Sequence, residues 1–178
     1  TQAATAPQQA AVATAHPAAT VAGLETLALG GNAFDAAVAV SAALAVVEPY
    51  GSGLGGGGFF LLRQAGEQPT YRFLDARERA PLAAHPDLYR RDGQVQRELS
   101  LNGALAAAIP GLPAALVVLA ERYGKLPLRD SLAPAIRIAK EGFPVYARLA
   151  RGYTERREVM ERYPGTRELE AKAKGVLW

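Results

Sequence analysis

Glycine occupies six of the eight positions from Gly51 to Gly58, within the stretch EPYGSGLGGGGFFLLRQ at residues 48–64. Each glycine loses more backbone freedom on folding than any other residue, so this density is unfavourable unless the structure requires it. One use of such a run is a sharp corner at which two backbones touch. Another is a bare backbone that a substrate approaches. Spacing alone does not separate these two uses.

The glycine run matches the dinucleotide-binding pattern G-x-G-x-x-G at Gly51, Gly53 and Gly56, but its context differs. That motif needs a strand before it and a helix after it, so that the pyrophosphate lies at a helix N-terminus. Here an apolar helical segment precedes the glycines and the strand-like FFLLR follows them. No Gly-Lys-Ser/Thr follows either, so neither kind of nucleotide site is predicted.

Composition bounds the class of protein. Hydrophobic residues make up 49% of the 178 and charged residues 21%, which favours a globular core over disorder. All 20 basic residues lie from Arg63 onward, interleaved with 14 acidic ones, which indicates a solvated surface and not a nucleic-acid interface. The absence of cysteine excludes disulfides, thiolate zinc sites and a cysteine nucleophile. The two histidines, each before a proline, predict no metal site.

Periodicity predicts an α+β or α/β layering, with a buried helix layer against a sheet. A helix opens at His16-Pro17 and stops at Gly30-Gly31, and Asn32 caps a second, apolar helix over 33–47. That second segment is short for a membrane span and carries Asp35, so no span is predicted. Strands follow at FFLLR, at PTYRFLDARERAP as its hairpin partner, and in ALAAAIPG up to Pro110; three helices come last.

The organisation along the chain is predicted in three parts: a loose lead-in over 1–15, one domain over 16–165, and a tail of uncertain register over 166–178. The chain begins with Thr1, and its opening has neither a basic region nor a long apolar run. We therefore expect a signal peptide to be already absent.

Arg77 is the strongest candidate for ligand binding. In YRFLDARERA, alternation places two aromatics and three charged residues on one strand face, which are Tyr71, Phe73, Asp75, Arg77 and Arg79. This pattern predicts that a buried aromatic face ends in something polar, and the guanidinium fork suits a carboxylate. The alternative, which the residues alone favour, is that Arg77 pairs with Asp75 or Glu78 on an exposed strand end. Glu78 falls on the opposite face and is interpreted as structural support.

Other polar residues are predicted to be structural. Asp35 lies in the apolar helix, where a buried carboxylate needs hydrogen-bond donors, so a capping or helix-to-loop bond is expected. Ser52 and Ser100 have no nearby base in the sequence, and neither is predicted to be a nucleophile.

Several motifs in unbroken order resemble the γ-glutamyltranspeptidase family. Between about Ala15 and Leu149 the chain carries GGNAFDAAVAVSAALAVVEPYGSGLGGGGFFLL, then LDARERAP, then IPGLPAALVVLAERYGKLPLRDSLAPAIRIAKEGFPV. The combination is specific, although no single motif is. The resemblance implies an α+β fold of the N-terminal-nucleophile hydrolase type, an αββα sandwich of two stacked sheets between helix layers. This chain would supply part of it, as the N-terminal part of the large subunit.

The resemblance also implies a function. The family precursor cuts itself into a large and a small subunit, and the threonine exposed at the start of the small subunit is the nucleophile, with its own amine as base. The γ-glutamyl group of glutathione or related amides passes to water or to amino-acid and peptide acceptors. No metal or organic cofactor is implied. The implied partner is the small subunit, and the implied location is periplasmic or secreted.

Site residues follow from the resemblance one by one. Arg77 matches the arginine of the family's D-x-R-E-x-A-P stretch, which holds the α-carboxylate of the γ-glutamyl group. Glu78, Asp75, Gly55 and Gly56 are expected to support it. Ala76 stands where phenylalanine is common, which predicts looser packing beside the site.

No threonine of this chain matches the nucleophile, since Thr1 is followed by QAATA, so no catalytic residue is expected here. Two alternatives stay open. One is a relative of the same fold acting on another acyl group, such as a cephalosporin-type acylase or a capsule-depolymerising transpeptidase. The other is a non-catalytic structural fragment or binding module. Retention of Arg77 favours a substrate with an α-carboxylate.

Overall fold

The structure is a computed structural model that describes residues 10–173. These residues form two compact units, one with residues up to Glu78 together with Pro110–Phe143, the other with Arg79–Ile109 and the residues from Pro144 onward. The first nine residues of the predicted lead-in 1–15 and the last five of the tail 166–178 lie outside the described part. Among the described residues, no helix is long and apolar enough to cross a membrane.

Seven α-helices, four strands and one 3₁₀-helix are found in the described residues. In chain order they are α1 (Pro17–Ala28), α2 (Ala33–Val47), β1 (Gly58–Gln64), β2 (Thr70–Ala76), β3 (Arg90–Arg91), β4 (Gln94–Val95), α3 (Arg97–Leu101), the 3₁₀-helix (Ala104–Ala106), α4 (Leu112–Arg122), α5 (Leu128–Glu141), α6 (Ala147–Arg162) and α7 (Pro164–Ala173). The predicted helices at both ends of the chain are therefore confirmed. Helix α5 runs through Pro134, which is buried inside it.

Helix α2 is the centre of the first unit, as its apolar sequence predicts. Alanines carry its contact with α1 and α5, in a cluster of Ala19, Ala22, Ala42, Ala43 and Ala135. Small side chains let helix axes approach closely, so α2 packs against both neighbours with little space left for larger groups. A second cluster joins α2 to β1 and α4 mainly through larger side chains, with one alanine; its members are Val38, Leu62, Leu112, Leu116, Leu119 and Ala120.

The start of α2 is fixed by a reciprocal cap. The side chain of Asn32 accepts hydrogen bonds from the backbone N–H of Phe34 (2.8 Å) and Asp35 (3.1 Å), while Asp35 accepts from the N–H of Asn32 (2.8 Å). The fully buried Asp35 carboxylate also accepts from the N–H groups of Lys125 (2.9 Å) and Leu126 (3.3 Å). Asp35 thus makes both predicted structural bonds, and it ties α2 to the turn between α4 and α5.

Strands β1 and β2 form an antiparallel hairpin whose register runs from Gly58 opposite Ala76 to Gln64 opposite Thr70. One face packs on the helices through the buried Leu62 and the partly buried Phe60 and Leu74. The other face is exposed, and we call it the apolar hairpin face; its members are Phe59, Leu61, Tyr71 and Phe73, which are 57%, 78%, 61% and 64% exposed.

Two details of the predicted β2 are wrong. The side with Tyr71 and Phe73 was expected to be buried, but within the described chain it is exposed, because both hairpin faces are apolar and the helices cover the other one. The strand also ends at Ala76 instead of continuing to Arg79. At the end of β2, Asp75 Oδ1 accepts a hydrogen bond from the backbone N–H of Arg77 (2.9 Å). Local side-chain bonds of this kind compete with strand pairing.

The second unit is more irregular. A tight hairpin of β3 and β4 turns through Asp92 and Gly93, both at positive φ (51° and 76°), as expected for an Asp-Gly turn. The strand predicted to end at Pro110 is wrong: the 3₁₀-helix replaces it, followed by a single β-bridge between Ile109 and Arg79. In the same unit, α6 packs through the buried Leu149.

Candidate substrate-binding site

The glycine run connects the end of α2 to the start of β1 and contains one very close backbone approach. A Cβ on Gly57 would overlap the carbonyl oxygen of Ala76 and lie 2.8 Å from both Arg77 Cα and Glu78 N. Side-chain carbons are essentially never that near to backbone atoms, so this position requires glycine. None of the glycines in the run has a positive φ. Close approach, and not unusual backbone geometry, explains this part of the run.

A second glycine, Gly111 at the start of α4, approaches the same backbone segment. A Cβ on Gly111 would also overlap the Ala76 carbonyl and lie 2.7 Å from the carbonyl oxygen of Arg77. The N–H groups of Gly111 and Leu112 both donate to the carbonyl oxygen of Gly56, at 3.1 Å each. The segment from Ala76 to Glu78 is therefore held between two glycine-containing backbones, and Arg77 lies at its centre.

The close approach is not at Gly55 or Gly56, the two glycines expected to support Arg77. A Cβ on Gly55 would meet no atom within 4 Å, and one on Gly56 would come no nearer than 3.4 Å to Glu78 Oε1 and Gly53 O. Four consecutive glycines look alike in a sequence, because nothing local distinguishes the one that faces the neighbouring backbone. Gly111 could have been suspected from the PG dipeptide that belongs to the recognised motifs.

Arg77 follows directly after β2 and also interacts with Asp75, Glu78 and Phe59. Its backbone N–H is bonded to Asp75, and its Nε lies 2.9 Å from Glu78 Oε2. Its Cζ lies 5.8 Å from the centroid of the Phe59 ring, within the range of a cation–π contact. The side chain is 62% exposed. Among the described residues, neither Nη atom of Arg77 has a hydrogen-bond partner, so the outer fork of the guanidinium is available to a ligand.

Glu78 is mostly covered, with 27% of its side chain exposed, and its Oε2 meets Arg77 as an ion pair. A hydrogen bond from its own backbone N–H lowers the pKa of the Glu78 carboxyl. The positive charge of Arg77 and the N–H of Gly57 lower this pKa further, against the opposing effect of burial. Glu78 is therefore a carboxylate at neutral pH, and it fixes one edge of the guanidinium. The pairing expected if Arg77 were purely structural is present, and the distance of 2.9 Å is between Arg77 Nε and Glu78 Oε2.

The other sequence candidates are engaged elsewhere. Ser52 donates to Glu48 Oε2 (3.2 Å), and Ser100 donates to the carbonyl oxygen of Arg97 (2.7 Å). The His16 ring accepts from the N–H of Ala18 (3.2 Å) and so caps α1. In the part of the chain that the structure describes, no group of three or more His, Cys, Asp or Glu side chains could hold a metal ion. The structure thus brings Asp75 and Glu78 to Arg77 and places Gly56 beside Glu78, whereas the Cβ position of Gly55 faces open space.

Comparisons with known proteins identify the family of this chain. The family model described as gamma-glutamyltranspeptidase matches residues 19–177, which includes most of the predicted tail. A glutathione hydrolase proenzyme from Pseudomonas sp. (strain A14) is 44% identical over 133 residues, covering 74% of this chain and 23% of that protein. The chain spans about a quarter of the length of the curated relatives it matches.

Solved structures share the fold. The gamma-glutamyltranspeptidase of Helicobacter pylori superposes with a TM-score of 0.84 and 36% identity, over 89% of this chain and 45% of that one. A cephalosporin acylase from Bacillus halodurans gives a TM-score of 0.72 and 36% identity, over 89% of this chain and 31% of that one. The predicted α+β fold of the N-terminal-nucleophile hydrolase type is confirmed, and the chain belongs to the γ-glutamyltranspeptidase family.

Proposed function

We propose that this chain is the N-terminal portion of the large subunit of an enzyme that transfers the γ-glutamyl group of glutathione or related amides to water or to amino-acid and peptide acceptors. The observation that carries the proposal is the exposed guanidinium of Arg77, whose Nε lies 2.9 Å from Glu78 Oε2 while neither Nη atom has a hydrogen-bond partner among the described residues. The names of the relatives, glutathione hydrolase proenzymes, support it. Because the chain spans only part of them, the activity belongs to the complete protein.

The role of Arg77 is to bind the α-carboxylate of the γ-glutamyl donor. A planar guanidinium offers two parallel N–H donors, which match the two oxygens of a carboxylate. Hydrogen bonds to charged groups contribute roughly 1.5–3 kcal/mol each. Such a contact at the α end of the donor would fix the position of the γ-carbonyl, where the bond is broken.

The nucleophile is proposed to lie outside this chain, as the threonine that begins a small subunit cut from the same precursor. Its hydroxyl oxygen adds to the γ-carbonyl carbon while its own amine accepts the hydroxyl proton. The amide C–N bond then breaks, the amine of the leaving group takes that proton, and a γ-glutamyl ester remains. Water or an amine acceptor releases it by the reverse exchange. This chain binds and orients the donor, and we propose no metal or organic cofactor.

The apolar hairpin face is proposed to be covered by the remainder of the protein. Four large apolar side chains, each more than half exposed, lie on one face of the hairpin, and two of their rings, Phe59 and Phe73, are stacked with 5.4 Å between centroids. Patches of this kind mark interaction sites in soluble proteins. The small subunit is the partner proposed here. A periplasmic or secreted location is proposed from the family resemblance alone.

An acylase acting on a different acyl group is the second candidate, favoured by the likeness to the cephalosporin acylase. The two candidates differ in what Arg77 would bind. A γ-glutamyl donor brings an α-carboxylate to this position, whereas an acyl group without one leaves the fork unused.

The experiment is to purify the full-length protein, identify its polypeptides by mass and N-terminal sequencing, and measure release of amine from a γ-glutamyl anilide and from glutathione. We expect two polypeptides, the smaller beginning with threonine, and turnover of both compounds. A matched variant with alanine at that threonine should remain uncut and inactive. A processed protein that cleaves a glutaryl anilide but neither γ-glutamyl compound would contradict the proposal in favour of the acylase.

A further inference from the structure

Phe59 lies where the glycine run becomes β1, and it differs from the other members of the apolar hairpin face. In the hairpin register it stands opposite Asp75, the residue that accepts the backbone N–H of Arg77. Its ring centroid lies 5.8 Å from Arg77 Cζ, and the ring is stacked on Phe73 with an interplanar angle of 28°. The guanidinium of Arg77 therefore lies over the face of the Phe59 ring.

We infer that Phe59 is a positioning residue for the donor carboxylate, which acts by supporting the guanidinium of Arg77. This inference rests on the proposed function, in which Arg77 binds an α-carboxylate. An arginine side chain has many rotamers, and each must be given up when a ligand binds. Asp75 accepts a hydrogen bond from the backbone N–H of Arg77, and Glu78 pairs with Nε, but neither contacts the flat face of the guanidinium. The face of an aromatic ring supplies that restraint, because its negative quadrupole attracts the cation.

The alternative explanation is that Phe59 is only a member of the apolar hairpin face, which the rest of the protein covers. Phe73 provides the control, since it lies on the same face, is similarly exposed and stacks on Phe59, whereas the ring over which the Arg77 guanidinium lies is that of Phe59. If burial alone mattered, truncating either ring would have a similar effect. If Phe59 positions Arg77, only its own replacement should alter donor binding.

The test uses the full-length enzyme and steady-state kinetics with a γ-glutamyl anilide. We expect Phe59→Leu to raise KM for the donor roughly two- to fivefold, the effect of losing an exposed cation–π contact, with kcat changed by less than about twofold. Phe59→Tyr keeps a ring face and should retain the original KM. Phe73→Leu should leave KM unchanged. In an Arg77→Ala background, Phe59→Leu should produce no further rise, because the guanidinium it supports is gone.

Equal KM values for Phe59→Leu and the unaltered enzyme would overturn the inference. So would a rise of the same size for Phe73→Leu, or a rise that persists in the Arg77→Ala background. If Phe59→Leu does not accumulate in soluble form, Phe59→Met supplies the same comparison with a side chain of similar volume. Failure of the proposed function is recognised separately, by an Arg77→Ala enzyme that loses the same factor on donors with and without an α-carboxylate.

Discussion

Replacing Gly57 with alanine tests the close backbone approach that holds Arg77 in place. The added methyl group would overlap the Ala76 carbonyl oxygen and lie 2.8 Å from Arg77 Cα and Glu78 N. All three neighbours are backbone atoms, which cannot rotate out of the way as a side chain can. The start of β1 and the segment after β2 must therefore separate, and the separation displaces Arg77.

The expected size follows from overpacking. Forcing extra atoms into a packed site typically costs about 1–3 kcal/mol, and backbone neighbours favour the upper part of that range. Gly55→Ala is the matched control, because its methyl group would meet no atom within 4 Å. At such an open position, alanine restricts the unfolded chain and is expected to stabilise by about 0.4–1 kcal/mol. The two variants should thus differ by about 3 kcal/mol although they are two residues apart.

The assay is urea denaturation of the full-length protein, followed by intrinsic fluorescence, with soluble yield as a second readout. We expect a clearly lower midpoint and lower yield for Gly57→Ala, and values at or slightly above those of the unaltered protein for Gly55→Ala. Equal midpoints for the two variants would show that the run is a flexible tether, and the reasoning from close approach would be refuted.

Three further predictions follow from the contacts described. Asp35→Ala leaves the buried N–H groups of the α2 cap and of the α4–α5 turn unpaired, and should lower the free energy of unfolding by about 3 kcal/mol. The control is Glu25→Gln, which removes an exposed ion pair with Arg137 and should change the free energy of unfolding by less than about 1 kcal/mol in the same denaturation assay. The pKa of Glu78 is lowered from 4.5 in the folded state, so its carboxylate contributes stability that is present above pH 4.5 and is lost as the pH falls through the lowered value. The stability difference between the unaltered protein and Glu78→Gln should therefore be constant near neutral pH and shrink below 4.5; a difference unchanged down to acid pH would contradict it. Residues 1–178 expressed alone should aggregate or bind a hydrophobic dye through the apolar hairpin face, and a monodisperse chain that unfolds cooperatively without binding dye would argue against coverage by a partner.

Helices were the part of the fold most open to prediction. The helix start at His16-Pro17, the cap at Asn32, the alanine-rich α2 and the structural bonds of Asp35 all follow from local chemistry, because a cap or a buried carboxylate has few ways to be satisfied. The side of the hairpin that faces the helices could not be predicted in the same way. Both faces of β1 and β2 are apolar, and the choice depends on helices distant in sequence.

The candidate site was predictable only in outline. Arg77 and Glu78 were found from the strand pattern and the family resemblance, and their ion pair is present. The end of β2 at Ala76 depends on one side-chain bond from Asp75, and the close approach of Gly57 and Gly111 depends on tertiary packing. The contact of Phe59 with Arg77 likewise depends on the register of the hairpin, which cannot be predicted from the sequence alone.

The central claim is that Arg77 binds the α-carboxylate of a γ-glutamyl donor, and substrate comparison tests it most directly. In the full-length enzyme, kcat/KM is measured for a γ-glutamyl anilide and for the matching glutaryl anilide, which lacks the α-carboxylate and α-amine. Arg77→Ala removes a charge-paired contact and should lower kcat/KM for the first roughly 30- to 1,000-fold, a loss of about 2–4 kcal/mol, with a smaller loss for Arg77→Lys. The loss on the glutaryl compound should be less than about threefold, since the arginine then has no carboxylate to bind. Equal losses on both compounds would contradict the account and make Arg77 a structural residue.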